Sequence, residues 1–275
     1  MRLYSLFMLT LLISNITLSQ VREEWFPSGL NIRPFEANML EPKAGFSSMP
    51  WVNRVRLDIS TSQDFYKKED DNTALSFGGD LFTYTRLRSE SNFHFPVETI
   101  DYMFGLNSGY KVMNGRNEYG FRFRLSHISA HLVDGKYDSN LKNWRDGSSP
   151  IVYSREFIEL MPYYRYRGFR AYIGLTYLFH VTPTDIGKDI YQTGFDYYMT
   201  WANTGIFVPY IAYDFKLNKI DTYVGNNIIT AGLKFGNTFG RGLSLAYTYI
   251  SGRSIHGEYY NSYENYSSIG INLDF

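Results

Sequence analysis

The chain contains no cysteine, so an exported fold built from it has no disulfide framework and must hold by hydrogen bonds and packing. Beyond residue 19 it has no uninterrupted apolar run near the ~20 residues that a membrane-crossing helix needs. A helical membrane protein is thereby excluded. Neither charge is in excess: 27 Lys+Arg balance 27 Asp+Glu, for a net charge of +0. That removes the electrostatic case for a nucleic-acid partner or a polybasic membrane anchor. No phosphate-cradling glycine loop and no dinucleotide fingerprint occur, so no cofactor is expected. Among the 5 histidines only His127 and His131 sit close in sequence with acidic residues nearby. On a strand that pair is too widely spaced to share one zinc ion, so no metal site is expected either.

Aromatic residues are abundant instead, at 18%, with 25 Tyr and 21 Phe. Tyrosine favours membrane–water interfaces, where the ring is buried and the hydroxyl stays wet, and transmembrane barrels carry two such girdles. The amino-terminal Met1-Arg2 followed by apolar Leu3 to Leu18 reads as a secretory leader, interrupted by Ser5, Ser14 and Asn15 and too short to span. Thr17-Leu18-Ser19 places cleavage before Gln20. No cysteine follows, which excludes lipid attachment there. Gln20 to Pro42, with Pro27, Pro34 and Pro42, reads as an irregular lead that caps the periplasmic mouth or enters the lumen.

Residues 43–275 are expected to form the barrel; period-two alternation is clear from Phe169 onward and blurs upstream, where Val52–Ser60, Ala74–Arg88, Asn92–Pro96 and Asp101–Met113 still look like strands. Ile269, Ile271, Leu273 and Phe275 oppose Ser268, Gly270, Asn272 and Asp274. Leu243, Leu245, Tyr247 and Tyr249 oppose Ser244, Ala246 and Thr248, while Ile229, Ala231, Leu233 and Phe235 oppose Thr230, Gly232, Lys234 and Gly236. Phe169 to Phe179 repeats the pattern against Arg170, Tyr172, Gly174, Thr176 and His180. This is the spelling of strands with one apolar and one wet side. Short connections (Asn114–Asn117, Arg167–Gly168, Ala202–Gly205, Asn237–Arg241) alternate with longer ones (Asp134–Ile151, Pro183–Asp189, Leu217–Thr222, Arg253–Tyr263). Periplasmic turns are short and outer loops long in such barrels. The expected fold is therefore all-β: one transmembrane antiparallel up-and-down barrel of about twelve strands, ten to fourteen being compatible. Its expected location is the outer membrane of a Gram-negative bacterium, among outer-membrane lipids.

Chemistry gathers at His127-Ile128-Ser129-Ala130-His131. Upstream, Phe121, Phe123 and Leu125 share the parity of His127 and Ser129, whereas downstream the apolar parity passes to Ile128, Ala130 and Leu132. Such a flip is what a β-bulge produces, here near Ser126-His127. With the bulge the His–Ser–His row faces the lumen; without it, lipid. A hairpin turning near residue 143 brings Glu159 to His127 and Arg155 to His131, with Glu156 beside them. Ser129, His127 and Glu159 or Glu156 then form a hydrolytic triad, or the same groups with Arg155 form a lumenal hydrogen-bond network. The network is the favoured expectation. A second polar cluster, Arg253, His256, Glu258 and Tyr259 in the Ser251–Tyr260 loop, suits a rim loop or ligand contacts such as sugar on an aromatic face. Three roles follow. The first is a structural or small-solute barrel with Arg122, Arg124, Arg170, Lys234 and Asp214 in its wall. The others are a lipid-modifying hydrolase and a surface-binding barrel.

Three resemblances attach to these residues. The alternating strand ending at Phe275 resembles the signal by which bacterial barrel-assembly machinery recognises its clients. The His127-x-Ser129 pair is similar to that of lipid A deacylases, which carry a His and a Ser two apart on a barrel strand near the outer leaflet. Finally, several features occur in the order found in a family of bacterial outer-membrane proteins known only as a domain of unknown function. They are Ile32-Arg33-Pro34-Phe35, Glu41-Pro42 with Lys43–Ser47, Phe77-Gly78-Gly79, His127–Asp134, Glu156 and Ser251–Tyr260. Where that family usually has Gly-Asp-Glu after its His-Leu, this chain has Val133-Asp134-Gly135. The resemblance implies a membrane barrel and assigns no activity.

Overall fold

The computed structural model describes residues 21–274. The leader with its cleavage site, and Phe275, lie outside those residues. Twelve antiparallel strands close into one barrel. In chain order they are β1 (Ala44–Met49), β2 (Arg54–Glu69), β3 (Thr73–Arg88), β4 (Val97–Asn114), β5 (Asn117–Leu132) and β6 (Tyr153–Tyr166). β7 (Phe169–Thr182), β8 (Ile186–Tyr198), β9 (Phe207–Ile220), β10 (Thr222–Gly236), β11 (Gly242–Arg253) and β12 (Tyr263–Asp274) follow. Each pairs with its predecessor, and β12 pairs with β1 to shut the ring. Closure pairs each strand with two neighbours, which is the condition for strands to cross a bilayer.

The alternation sorts faces as expected. On β5, Phe121, Phe123 and Leu125 are exposed on the outside while Arg122, Arg124 and Ser126 are buried inside. On β12, Ile269, Ile271 and Leu273 point out and Ser268 points in. An outer face this apolar is stable only against lipid. Two connections differ from expectation. Leu217–Thr222 is not a loop: β9 and β10 pair through to Ile220 and Thr222 and reverse at Asp221, with φ of 58°. Likewise β8 begins at Ile186, shortening the loop after β7. In both places the ladder continues beyond the last apolar residue, because backbone pairing outlasts the lipid-facing pattern.

Before the barrel, Arg22–Trp25 pairs with the lower part of β2, where short β1 leaves its edge open. From Pro27 to Lys43 the chain has no strand and runs through the lumen. Phe35 is fully buried there, with the guanidinium carbons of Arg170 and Arg122 4.4 and 4.9 Å from its ring centre. Glu41, also buried, accepts hydrogen bonds from Arg122 (2.6 and 2.7 Å) and Arg124 (3.0 Å). Asp80 lies 2.9 Å from Arg124 Nε, and Glu159 3.2 Å from Arg122. Arg170 donates to Asp196 and to the carbonyls of Arg33 and Pro34. Lys234 and Asp214 are buried as well. A densely paired charge cluster, to which the lead contributes Glu41 and the carbonyls of Arg33 and Pro34, occupies the middle of the barrel.

Candidate functional site

β5 carries no bulge. Its pairing with β4 and with β6 runs without a register shift from Asn117 through Ala130. His127, Ser129 and His131 therefore continue the outward row of Phe121, Phe123 and Leu125, and face lipid. Ile128 and Ala130 turn inward into an apolar cluster with Tyr84, Met103 and Phe157. The downstream apolar parity marks that internal cluster; it does not mark a flip of the strand.

The register of β6 decides the acidic partner. His127 lies opposite Glu156, and Arg124 lies opposite Glu159. The expected Glu159–His127 and Arg155–His131 proximities do not form. The pairing differs from the expected one by an odd number of residues, and an odd slip moves a side chain to the other face. Glu159 instead joins Arg122 and Arg124 in the lumen. Arg155 points inward beside Tyr153, 5.2 Å from its ring centre. Glu156 points outward, and its Oε1 lies 2.6 Å from His127 Nδ1.

One of the wall's register shifts lies two strands away, on β7. Leu178 pairs with Phe157 and His180 with Glu156, leaving Phe179 as the extra residue. Without that extra residue His180 would share the lumenal parity of Arg170 and Tyr172. With it, His180 turns outward and its Nδ1 bonds Glu156 Oε2. Ser154, on the same outward row as Glu156, donates its hydroxyl to Oε1 at 3.0 Å. His180 and Ser154 escaped the sequence reading. A lone histidine on the polar parity gives no sign of a bulge beside it.

One carboxylate thus receives two imidazoles and a hydroxyl on the lipid-facing surface. A neutral His127 that donates from Nδ1 to Glu156 keeps Nε2 as an acceptor, the tautomer that a general base requires. Phe104 packs on the His127 ring with centroids 4.9 Å apart, and Tyr102 flanks His131 at 5.9 Å. Ser129 is half-buried and follows His127 by one outward position, ~7 Å along the strand. Both side chains are open to whatever lies on the barrel's outside.

The height matters. From Tyr119 to His127 the strand climbs ~27 Å, or ~20 Å along the membrane normal at a ~40° tilt. Below His127 the wall is apolar (Leu125, Leu106, Ile158, Leu175), and Tyr119, Tyr164 and Tyr166 form the opposite girdle. The cluster sits at the other edge of the apolar band, next to the end with the longest loop. A charged group on a barrel's lipid face costs ~2–4 kcal/mol at the midplane but ~0–1 near the interface. At the rim such a cluster is tolerable.

The Ser251–Tyr260 loop is folded onto the barrel mouth, and its polar groups are committed to it. His256 is 2% exposed, with Nδ1 2.7 Å from Asp101 Oδ2, while the backbone amide of Gly257 donates to Asp101 Oδ1. Glu258 accepts the backbone amides of Leu132 (3.0 Å) and Ile151 (3.2 Å), and burial pushes its carboxyl above the usual range. The Tyr259 ring lies 3.6 Å from the Arg86 guanidinium carbon. Arg253 turns its guanidinium toward the carbonyl of Asn261.

Among solved structures, the outer membrane phospholipase A of Escherichia coli is similar over 86% of this chain and 91% of its own, at 14% identity and a TM-score of 0.54. The β domain of the Bordetella autotransporter BrkA covers 85% of this chain and 96% of its own, at 11% identity and a TM-score of 0.44. No curated protein matches the sequence. At these identities the phospholipase likeness concerns the fold, an outer-membrane barrel. Residues 99–275 match the family described as Protein of unknown function (DUF1207), and the chain belongs to that family.

Proposed function

We propose that this protein is an outer-membrane acyl-ester hydrolase, with Ser129 as nucleophile, His127 as general base and Glu156 as the carboxylate that orients the imidazole. The supporting observation is the His127–Glu156 hydrogen bond on the lipid-facing surface, with Ser129 next on the same row. The inside of the barrel has its own polar network around Arg122, Arg124 and Arg170. A His–Glu–His cluster outside contributes nothing to closing the wall.

The chemistry follows from the residue types. Ser129 Oγ attacks the ester carbonyl carbon while His127 Nε2 takes the hydroxyl proton. The tetrahedral intermediate collapses by breaking the carbon–oxygen ester bond, and His127 returns its proton to the departing alcohol. Water, deprotonated by the same imidazole, then frees the fatty acid and regenerates Ser129. Glu156 stays ionised and stabilises the imidazolium. Leu125, Leu106 and Ile158 beneath the triad are placed to carry acyl chains, so the substrate class is a membrane lipid ester. The similar E. coli barrel is a phospholipase A, and this and the His-x-Ser likeness to lipid A deacylases both favour this reading. Location in a Gram-negative outer membrane, after removal of the leader, belongs to the same proposal.

A small-solute passage has less support, because residues 27–43 and their arginine partners occupy the lumen. The test is mass spectrometry of lipids from cells expressing wild type or Ser129→Ala. Wild type is expected to release fatty acid and deacylated lipid, and the variant none. Identical acylation in both would remove the hydrolase.

A further inference from the structure

Inside the barrel, between the lead and the Ser251–Tyr260 loop, lies a cavity of about 70 Å³. Isoleucines dominate its walls, among them Ile186, Ile190 and Ile228, with Met39 and Leu40 closing it from the lead. Three cations also line it: Arg155, Lys216 and Arg253. No acidic residue is among the lining groups.

Those cations have no salt-bridge partner among the described residues. Lys216 Nζ reaches Asn38 Oδ1 at 3.3 Å, a neutral acceptor. Arg155 Nε and Arg253 Nε are buried with no hydrogen-bond partner, and Arg253 gives its Nη1 to a neutral acceptor, the carbonyl of Asn261. Of the neighbouring acids, Glu41 and Glu159 are engaged by Arg122 and Arg124; Asp214 accepts from Tyr172 (2.7 Å) and Gln192 through Oδ2, leaves Oδ1 without a partner, and forms no salt bridge with Lys216 among the described residues. Arg122, Arg124 and Arg170 are each paired with a carboxylate in the same lumen, whereas each of these three cations around one apolar space has at most a neutral acceptor. Burying charge without a counter-charge is unfavourable. An anion in the cavity would remove that penalty.

We propose that this cavity is a binding site for an amphiphilic monoanion, a short- to medium-chain carboxylate. Its head lies among Arg155, Lys216 and Arg253, and its tail against the isoleucines. The volume, room for roughly five water molecules, suits a carboxylate and a few methylenes. A carboxylate accepts from both guanidinium groups and the ammonium at once, as charge-assisted hydrogen bonds. The site lies on the inner side of β6, whereas the proposed triad lies on the outer side, and its occupancy does not depend on the hydrolase reading.

The test uses the folded protein held in amphipol and ¹³C-carboxyl-labelled hexanoate, followed by NMR titration against protein-free amphipol. Saturable hexanoate binding is expected, with 1-hexanol and inorganic phosphate each binding at least tenfold more weakly. Lys216→Met and Arg155→Met should each weaken hexanoate at least tenfold. Arg253→Met, at the strand end, gives a third variant should either buried change prevent folding, as judged by heat-modifiable mobility. Equal binding of hexanol would overturn the cationic site, and equal binding of phosphate would overturn the acyl tail. No hexanoate binding, or binding unchanged in the folded variants, would overturn the proposal.

Discussion

His127 Nδ1 and Glu156 Oε1 stand 2.6 Å apart across the β5–β6 ladder, on the outside of a barrel whose lumen holds a separate charge network. That pair, three positions from the carboxylate that joins the lumenal arginines, separates a surface site from an internal network.

Two glutamates on one strand should therefore behave oppositely. Glu156→Gln is expected to lower ester hydrolysis ~10²–10⁴-fold with little change in stability, since it deprives the general base of its orienting charge. Glu159→Gln should leave hydrolysis per folded molecule unchanged while lowering resistance to urea. Kinetics on mixed micelles alongside unfolding in vesicles distinguishes the two. Equal kinetic losses would contradict the facing assignment.

His180 holds the second oxygen of Glu156 and is positioned by the Phe179 bulge. His180→Ala should reduce kcat about tenfold without altering KM, because it frees Glu156 to rotate and touches no substrate. A KM change with kcat intact would instead mark His180 as a lipid contact.

The lead is anchored by charge. Glu41→Ala strips Arg122 and Arg124 of a buried carboxylate, and breaking such a pair costs about 3–5 kcal/mol. Urea midpoints in vesicles measure that loss. Removing residues 27–40 should convert a barrel with no steady conductance into an open pore in planar bilayers. Conductance in the unaltered protein would show that the lead does not close it.

At the mouth, a Cβ on Gly257 would lie 2.2 Å from Cδ1 of Tyr153. Gly257→Ala should therefore lift the loop off its Asp101 anchor and expose residues 254–262 to added protease. An unchanged cleavage pattern would mean that the loop is not docked as described.

How much of this was legible in the sequence follows from which quantities a local pattern encodes. Strand parity was legible, because Phe121, Phe123 and Leu125 or Ile269, Ile271 and Leu273 write it residue by residue. The pairing of Glu156 with His127 was not. It depends on a register set across the long Val133–Val152 connection, where an odd slip exchanges inside for outside. The apolar parity of Ile128, Ala130 and Leu132 suggested a bulge in the wrong strand, because an internal hydrophobic cluster mimics a lipid face. The true bulge at Phe179 left only an isolated His180 on the polar parity. Residues 27–43 carry no periodicity, and their place in the lumen rests on distant partners such as Arg122 and Arg170.

The most direct measurement is covalent labelling of the membrane-embedded protein with a lipid-like fluorophosphonate, followed by peptide mass spectrometry. Phosphonylation confined to Ser129, lost in His127→Ala and strongly slowed in Glu156→Gln, is the expected result. A folded barrel whose Ser129 stays unlabelled, or is labelled equally well without His127, would contradict catalysis on the lipid face.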